Sequence, residues 1–313
     1  PQGVGHRIET NAYPCGLALA ATWNEKLAYE YGQSLGRDCR ARGIHIILGP
    51  AVNIHRAPMC GRNFEYMGED PYLTARTTVG YIKGVQSQKV MATVKHFLAN
   101  NSDYDRARIS NDIDERTAHE IYFPAFKAAV QEAEVGAVMT SYNLVNGIYT
   151  NENPWLLKDV LRKTWGFNGM VVSDWSAAQY SIPTCNAGMD LEMPGAEKNK
   201  PQEIAYYLRT GYVTMDTINE RIRHILRVII GFGFLDAQQQ DKNIPLDNPA
   251  SVETALKVAN EAIVLLKNEK NILPVNPKKY KKIAVVGKNA NGYVCGGGSG
   301  SVNPFSYVSA FEG

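Results

Sequence analysis

The chain has 313 residues, 44% of them hydrophobic and 20% charged, and its 33 Lys and Arg nearly balance its 31 Asp and Glu. A formal net charge of +2 gives no electrostatic pull toward nucleic acid or an anionic membrane. No apolar run approaches the roughly 20 residues of a membrane-spanning helix. The length exceeds what one hydrophobic core usually serves, so more than one domain is expected.

In chain order, short apolar runs alternate with helical patterns, the signature of βα units and a parallel sheet. A helix is expected from about Asn24, a good N-cap, to about Gly43, a good C-terminal stop. IHIIL at 44–48 follows as a strand, continuous and β-branched as one covered on both faces should be. MATVKHF at 91–97, GAVMTSY at 136–142 and GMVVSDW at 169–175 have the same character. Between them, a helix beginning near Asp114 meets Pro124, where a break is expected. Asn153-Pro154 opens another, with proline at the first helical position. Residues 214–231 form a strongly amphipathic helix with Ile218, Ile222, Ile225 and Leu226 on one face. The polar, proline-punctuated segment 236–249 marks a linker. Residues 1–235 are thus a first domain, and 250–313 start a second, with a helix over 251–267 and a strand in KKIAVVGKNANG. Cys15, Cys39, Cys60, Cys185 and Cys295 lack metal-ligand spacing, so free thiols are expected and no zinc.

Three strands end in polar pairs: Lys95 and His96, Ser141 and Tyr142, Ser173 and Asp174. In a (β/α)8 barrel the C-terminal strand ends form the catalytic face. Each pair alone is read as well as a strand cap, and Asp174 as an N-cap for the next helix. Together they point to a convergent polar pocket. Trp175 offers a flat apolar face on which a sugar ring can stack, though aromatics in barrels more often belong to the core.

The segment VLRKTWGFNGMVVSDWSA at 160–177 resembles the signature of glycoside hydrolase family 3, departing from it at Thr164. GRNFEYMGEDP at 61–71, VKHFLANN at 94–101, MTSYN at 139–143, AGMDLEMPG at 187–195 and GGGSGSVNP at 296–304 are similar to further motifs of that family, in the same order. The resemblance implies a (β/α)8 TIM-like barrel, incomplete at its N-terminus, followed by the beginning of a second α/β sandwich domain. It implies a retaining exo-acting β-glycosidase that removes terminal β-D-glucosyl residues through a covalent glycosyl-aspartate intermediate on Asp174. Arg62, Lys95, His96 and Arg106 match residues that hydrogen-bond the terminal sugar. Met139 and Tyr142 match residues lining its pocket, and Ser299 one reaching in from the second domain. Arg62 pairing with Glu65 or Glu69, and His96 as a satisfied buried histidine, remain the plainer alternatives.

Retention requires two carboxyl groups about 5–5.5 Å apart. The family's acid/base glutamate lies in the second domain. Glu65, Glu69 and Glu192 match no acid/base motif, so the partner carboxyl is expected beyond Gly313. An outer-hydroxyl-binding aspartate and the first barrel strand are expected upstream of Pro1-Gln2-Gly3-Val4. Residues 1–313 alone are accordingly expected to be poorly stable or inactive. No metal or other cofactor is required. The implied partners are an oligosaccharide or β-glucoside and the remainder of the same protein. Breakdown of sugar polymers points to a place outside the cytoplasm. KHFLANNSDYDR lacks the histidine of the N-acetylglucosaminidase subgroup, which disfavours that activity. β-Xylosidase, or a sugar-binding homologue without catalysis, stays open as the alternative.

Overall fold

In the computed structural model, residues 2–5 and 8–313 are described; Pro1, His6, Arg7 and the side chain of Ser299 lie outside the described set. Helix α1 runs Glu25–Ala41, and its N-cap Asn24 accepts from the Leu27 amide at 3.0 Å, as the sequence predicts. Strand β1 is Ile46–Ile47, helix α2 Pro71–Gln86, strand β2 Met91–Phe97, helix α3 Pro124–Gln131 and strand β3 Ala137–Thr140. A wide-turned π-type helix spans Trp155–Thr164, strand β4 is Met170–Val172 and helix α4 Met215–Gly231. Pro124 does interrupt its helix: a short segment capped by Asp114 ends at Phe123, and Pro124 starts α3 in the first-turn position, where no N–H is needed.

The four strands form one parallel sheet in sequence order, β1-β2-β3-β4. Thr93 pairs with Ala137, and Ala137 in turn with Met170. A bridge from Val172 to Leu191 extends the sheet by one position. All seven residues of β2 are buried, as in a strand covered on both faces. One side is covered by α2, α3 and the large core they share. The other carries a smaller cluster of Met91, Met139, Met170, Val172 and Val228. Helices α1 and α2 pack closely because glycines face each other. A Cβ at Gly32 would stand 2.2 Å from the Tyr81 carbonyl oxygen, and one at Gly84 2.1 Å from that of Tyr29.

The apolar face of α4 is only partly used. Ile225 packs on the smaller cluster, whereas Ile222 and Leu226 are exposed. Helix α5, Pro249–Ala262, is shorter than expected and lies on α1. Its Ser251 donates to Asp38 at 2.9 Å, and its Thr254 accepts from Ser34 at 3.0 Å. The strand expected within 281–287 is absent. Its backbone finds no neighbouring strand there, and Ile283 and Val286 stand exposed. The chain then returns to its beginning, where Asn303–Pro304 pairs in parallel with Glu9–Thr10. All five cysteines are free; three are buried, while Cys15 and Cys295 are half-buried.

Asp190 ties the end of the sheet to the helices behind it. Its Oδ2 accepts from the Val171 amide and from Arg162, both at 2.7 Å, and its Oδ1 accepts from His224 Nδ1 at 2.8 Å. Removing a buried carboxylate strands the cation it faced. Asp190→Ala is therefore expected to lower unfolding stability by roughly 3–5 kcal/mol in urea titration. A loss below about 1 kcal/mol would show that Arg162 is compensated elsewhere.

Candidate active site

Because the strands are parallel, the residues ending β2, β3 and β4 emerge on one side of the sheet. Asp174, two residues past β4, is 7% exposed. Its Oδ1 accepts from the Trp175 amide at 2.8 Å and from the Tyr142 hydroxyl at 3.1 Å. Its Oδ2 is buried and has no hydrogen-bond partner. The nearest cation is Arg62, whose Nη1 lies 3.8 Å away, beyond hydrogen-bond reach. A carboxylate held by one oxygen, with the other buried and without a hydrogen bond, is costly to build.

Arg62 comes from the loop leading into the 3-10 turn Asn63–Glu65. Its Nε donates to Glu65 Oε1, and its Nη2 donates to His96 Nε2 at 2.7 Å. Lys95, buried beside it, sets its ammonium 3.9 Å from Glu65 Oε2. Burial acts to raise the pKa of the Glu65 carboxyl, but the charges of Lys95 and Arg62 outweigh it and hold the group below its ordinary value. Burial lowers the pKa of Lys95, partly offset by Glu65. His96 is pushed well below its ordinary value, first by burial and then by the charges of Arg62, Lys95 and Arg106, so it is neutral. The 3.4 Å approach of His96 Nε2 to Asp174 Oδ2 is thus not an ion pair. Burial, followed by the charge of Asp174, raises the Tyr142 phenol to about 12, which keeps it a proton donor at any ordinary pH.

Of the residues singled out in the sequence, the structure brings Arg62, Lys95, His96, Tyr142 and Asp174 together. Arg106 is next to them, its guanidinium 4.2 Å above the Tyr142 ring and its Nη1 bonded to Asp103 at 3.0 Å. The Trp175 indole is 40% exposed at the rim. Met139 is fully buried in the smaller apolar cluster, where it contributes packing and no polar contact to the site. The side chain of Ser299 lies outside the described residues, but its loop is near: Cβ atoms at Gly296 and Gly300 would fall 2.2 and 2.6 Å from the Phe64 ring, between Arg62 and Glu65 in sequence. Both views of Arg62 hold at once, since it pairs with Glu65 and also reaches His96.

Three further residues complete the site: Glu65, read from the sequence only as a neighbour of Arg62, Tyr66, which lies in the same 61–71 motif, and Asn53, which has no sequence signal of its own. Glu65 is the anion that Arg62 and Lys95 share. Asn53 and Tyr66 contact His96 from its other side. Among the described residues no group of His, Cys, Asp and Glu has the arrangement of a metal site. Glu192, a further buried carboxylate past β4, accepts from the amides of Lys198 and Asn199 and holds a loop.

The profile of the glycosyl hydrolase family 3 N-terminal domain matches residues 1–228, and that of the C-terminal domain of the same family matches 263–313. A β-glucosidase of Rhizobium radiobacter is 43% identical over 307 residues, which are 98% of this chain and 37% of that protein. A probable β-glucosidase I of Aspergillus niger is 39% identical with the same coverage. The chain thus spans a little over a third of the length of these relatives. Among solved structures, β-glucosidase 3B of Thermotoga neapolitana in complex with α-D-glucose superposes with a TM-score of 0.82 at 38% identity, over 86% of this chain and 38% of that one. A β-glucosidase of Kluyveromyces marxianus superposes with a TM-score of 0.87 at 30% identity, over 99% of this chain and 38% of that one. The parallel strands with their outer helices are therefore a sector of a TIM-like barrel, and the chain belongs to glycosyl hydrolase family 3.

Proposed function

We propose that the chain carries the sugar-binding half of a retaining β-glucosidase site, with Asp174 as the nucleophile that forms a glycosyl-enzyme ester. The observation that carries this is the state of the Asp174 carboxylate. Tyr142 and the Trp175 amide hold Oδ1, which fixes the plane of the group, while Oδ2 carries no hydrogen bond that an attack on an anomeric carbon would have to break. The relatives named as β-glucosidases favour glucose as the glycone. Arg62, Lys95, His96 and Arg106 form the polar side of the pocket for its hydroxyls, and the exposed Trp175 ring offers a stacking face for the sugar. Ser299 is assigned a contact from the 296–304 loop.

Glu65 is unsuited to be the proton donor. Its carboxyl is held in the charged form by Lys95 and Arg62, whereas a general acid must arrive protonated. The acid/base carboxyl is proposed to come from outside these 313 residues, about 5–5.5 Å from Asp174 as retention requires.

In the intact protein, Asp174→Ala is expected to reduce hydrolysis of an aryl β-glucoside by roughly 10⁴-fold or more. Added azide is expected to restore turnover as an α-glucosyl azide, since the small anion fills the place of the lost carboxylate. Full activity in that variant would exclude Asp174 as nucleophile. Tyr142→Phe removes one donor from Oδ1, and kcat/KM is expected to fall roughly 10–100-fold, the worth of a hydrogen bond to a charged group. An unchanged kcat/KM would mean that the Trp175 amide alone orients the carboxylate.

A further inference from the structure

The His96 imidazole is fully buried, and each ring nitrogen faces groups whose donor or acceptor character is fixed by other bonds. Asn53 Nδ2 donates to the His96 carbonyl at 2.8 Å, and Asn53 Oδ1 accepts from the His96 amide at 2.9 Å. These two bonds determine which end of the Asn53 amide is which. The atom 3.3 Å from His96 Nδ1 is therefore the oxygen, which only accepts. The second neighbour of Nδ1 is the Tyr66 hydroxyl at 3.5 Å. Tyr66 gives its proton to the Asn100 carbonyl at 3.1 Å and receives one from Asn100 Nδ2 at 3.0 Å, so toward Nδ1 it too can only accept. On the opposite side, Nε2 meets Arg62 Nη2, and a guanidinium has only donors.

We infer that Asn53, supported by Tyr66, is a positioning residue that locks His96 as the neutral Nδ1–H tautomer and so keeps Asp174 Oδ2 free of an imidazole donor. The inference rests on the proposed role of Asp174. Oδ2 lies 3.4 Å from Nε2. With the proton on Nδ1, the Nε2 lone pair is taken by Arg62 and nothing on the ring reaches the carboxylate. With the proton on Nε2, the ring would donate to Oδ2 and break the Arg62 bond, leaving a buried guanidinium N–H unmet. With both nitrogens protonated, an imidazolium would pair with Asp174 and blunt its nucleophilicity. Of the groups facing the ring, the Asp174 carboxylate favours that last state, and it is outweighed: Arg62, Lys95 and Arg106 are cations, Glu65 is engaged by the first two, and burial disfavours the charged ring and keeps the Tyr66 phenol neutral. A substrate hydroxyl that meets Nε2 must therefore come as a donor, in competition with Arg62.

The test is a long-range ¹H–¹⁵N spectrum of the intact, histidine-labelled protein, with the His96 signals assigned by their loss in His96→Gln. The expected pattern is a protonated Nδ1 and a bare Nε2, unchanged between about pH 5 and pH 8, the range in which a free histidine titrates. Asn53→Leu is expected to move population to the Nε2–H form and to slow labelling of Asp174 by a 2-fluoroglucoside roughly tenfold or more. Asn53→Asp keeps an acceptor at Nδ1 and hence the tautomer. Its added negative charge raises the histidine pKa, so labelling is expected to fall away in acid at a higher pH than in the wild type. An Nε2–H ring or an imidazolium in the wild type at neutral pH would overturn the inference, whether or not the variants fold. So would an unaltered tautomer in a folded Asn53→Leu protein. A wild-type Nδ1–H spectrum with no labelling of Asp174 would instead strike the nucleophile assignment and leave the tautomer standing.

Discussion

Burying the Asp174 carboxylate is the constraint around which the open end of the sheet is arranged. A carboxylate taken out of water is stable only where donors or cations replace its hydration. Here the replacement is uneven. One oxygen receives two hydrogen bonds, from Tyr142 on the neighbouring strand end and from the adjacent amide of Trp175. The other receives none, with Arg62 held 3.8 Å off. What keeps Arg62 back is its own set of partners, Glu65 and His96, and what holds these in place is Lys95 on one side and Asn53 with Tyr66 on the other. The charge at the centre thus depends on a ring of groups that are each bound to something else.

That ring can exist only on a rigid floor. The parallel register sets the ends of β2, β3 and β4 side by side, so residues 95–96, 142 and 174 meet without any of the strands bending to reach the others. Below them, the wholly buried β2 is clamped between two apolar clusters, and Asp190 fastens the β4 edge to Arg162 and His224. Met139 belongs to this floor, where it fills space beneath the polar residues of the same strand end.

Much of this was legible in the sequence, and for definable reasons. A continuous apolar run, as in MVV, states a buried parallel strand, and the polar residues ending three such runs, Lys95 and His96, Tyr142 and Asp174, state together that the strand ends converge. Asn24, Asp114 and Asn153-Pro154 marked helix starts because capping is local chemistry, decided within three residues. The contacts of Asn53 were not legible, since it meets His96 across 43 positions and a lone asparagine in a loop carries no mark of its partner. Glu65 was visible only as a plain neighbour of Arg62; that it also serves Lys95 depends on the loop crossing over the strand ends. The strand expected at 281–287 failed for the converse reason. Its local pattern is right, but a strand is completed by neighbours, and the described chain sets none beside it.

The role proposed for Asp174 Oδ2 is that of the attacking nucleophile. It is tested most directly by incubating the intact protein with dinitrophenyl 2-deoxy-2-fluoro-β-glucoside and mapping the modified peptide by mass spectrometry. The good leaving group needs no help from an acid, so the outcome reports on the nucleophile alone. The account predicts one fluoroglucosyl ester, on Asp174. An ester on another carboxylate, or a folded protein that binds glucose and is never labelled, would contradict it.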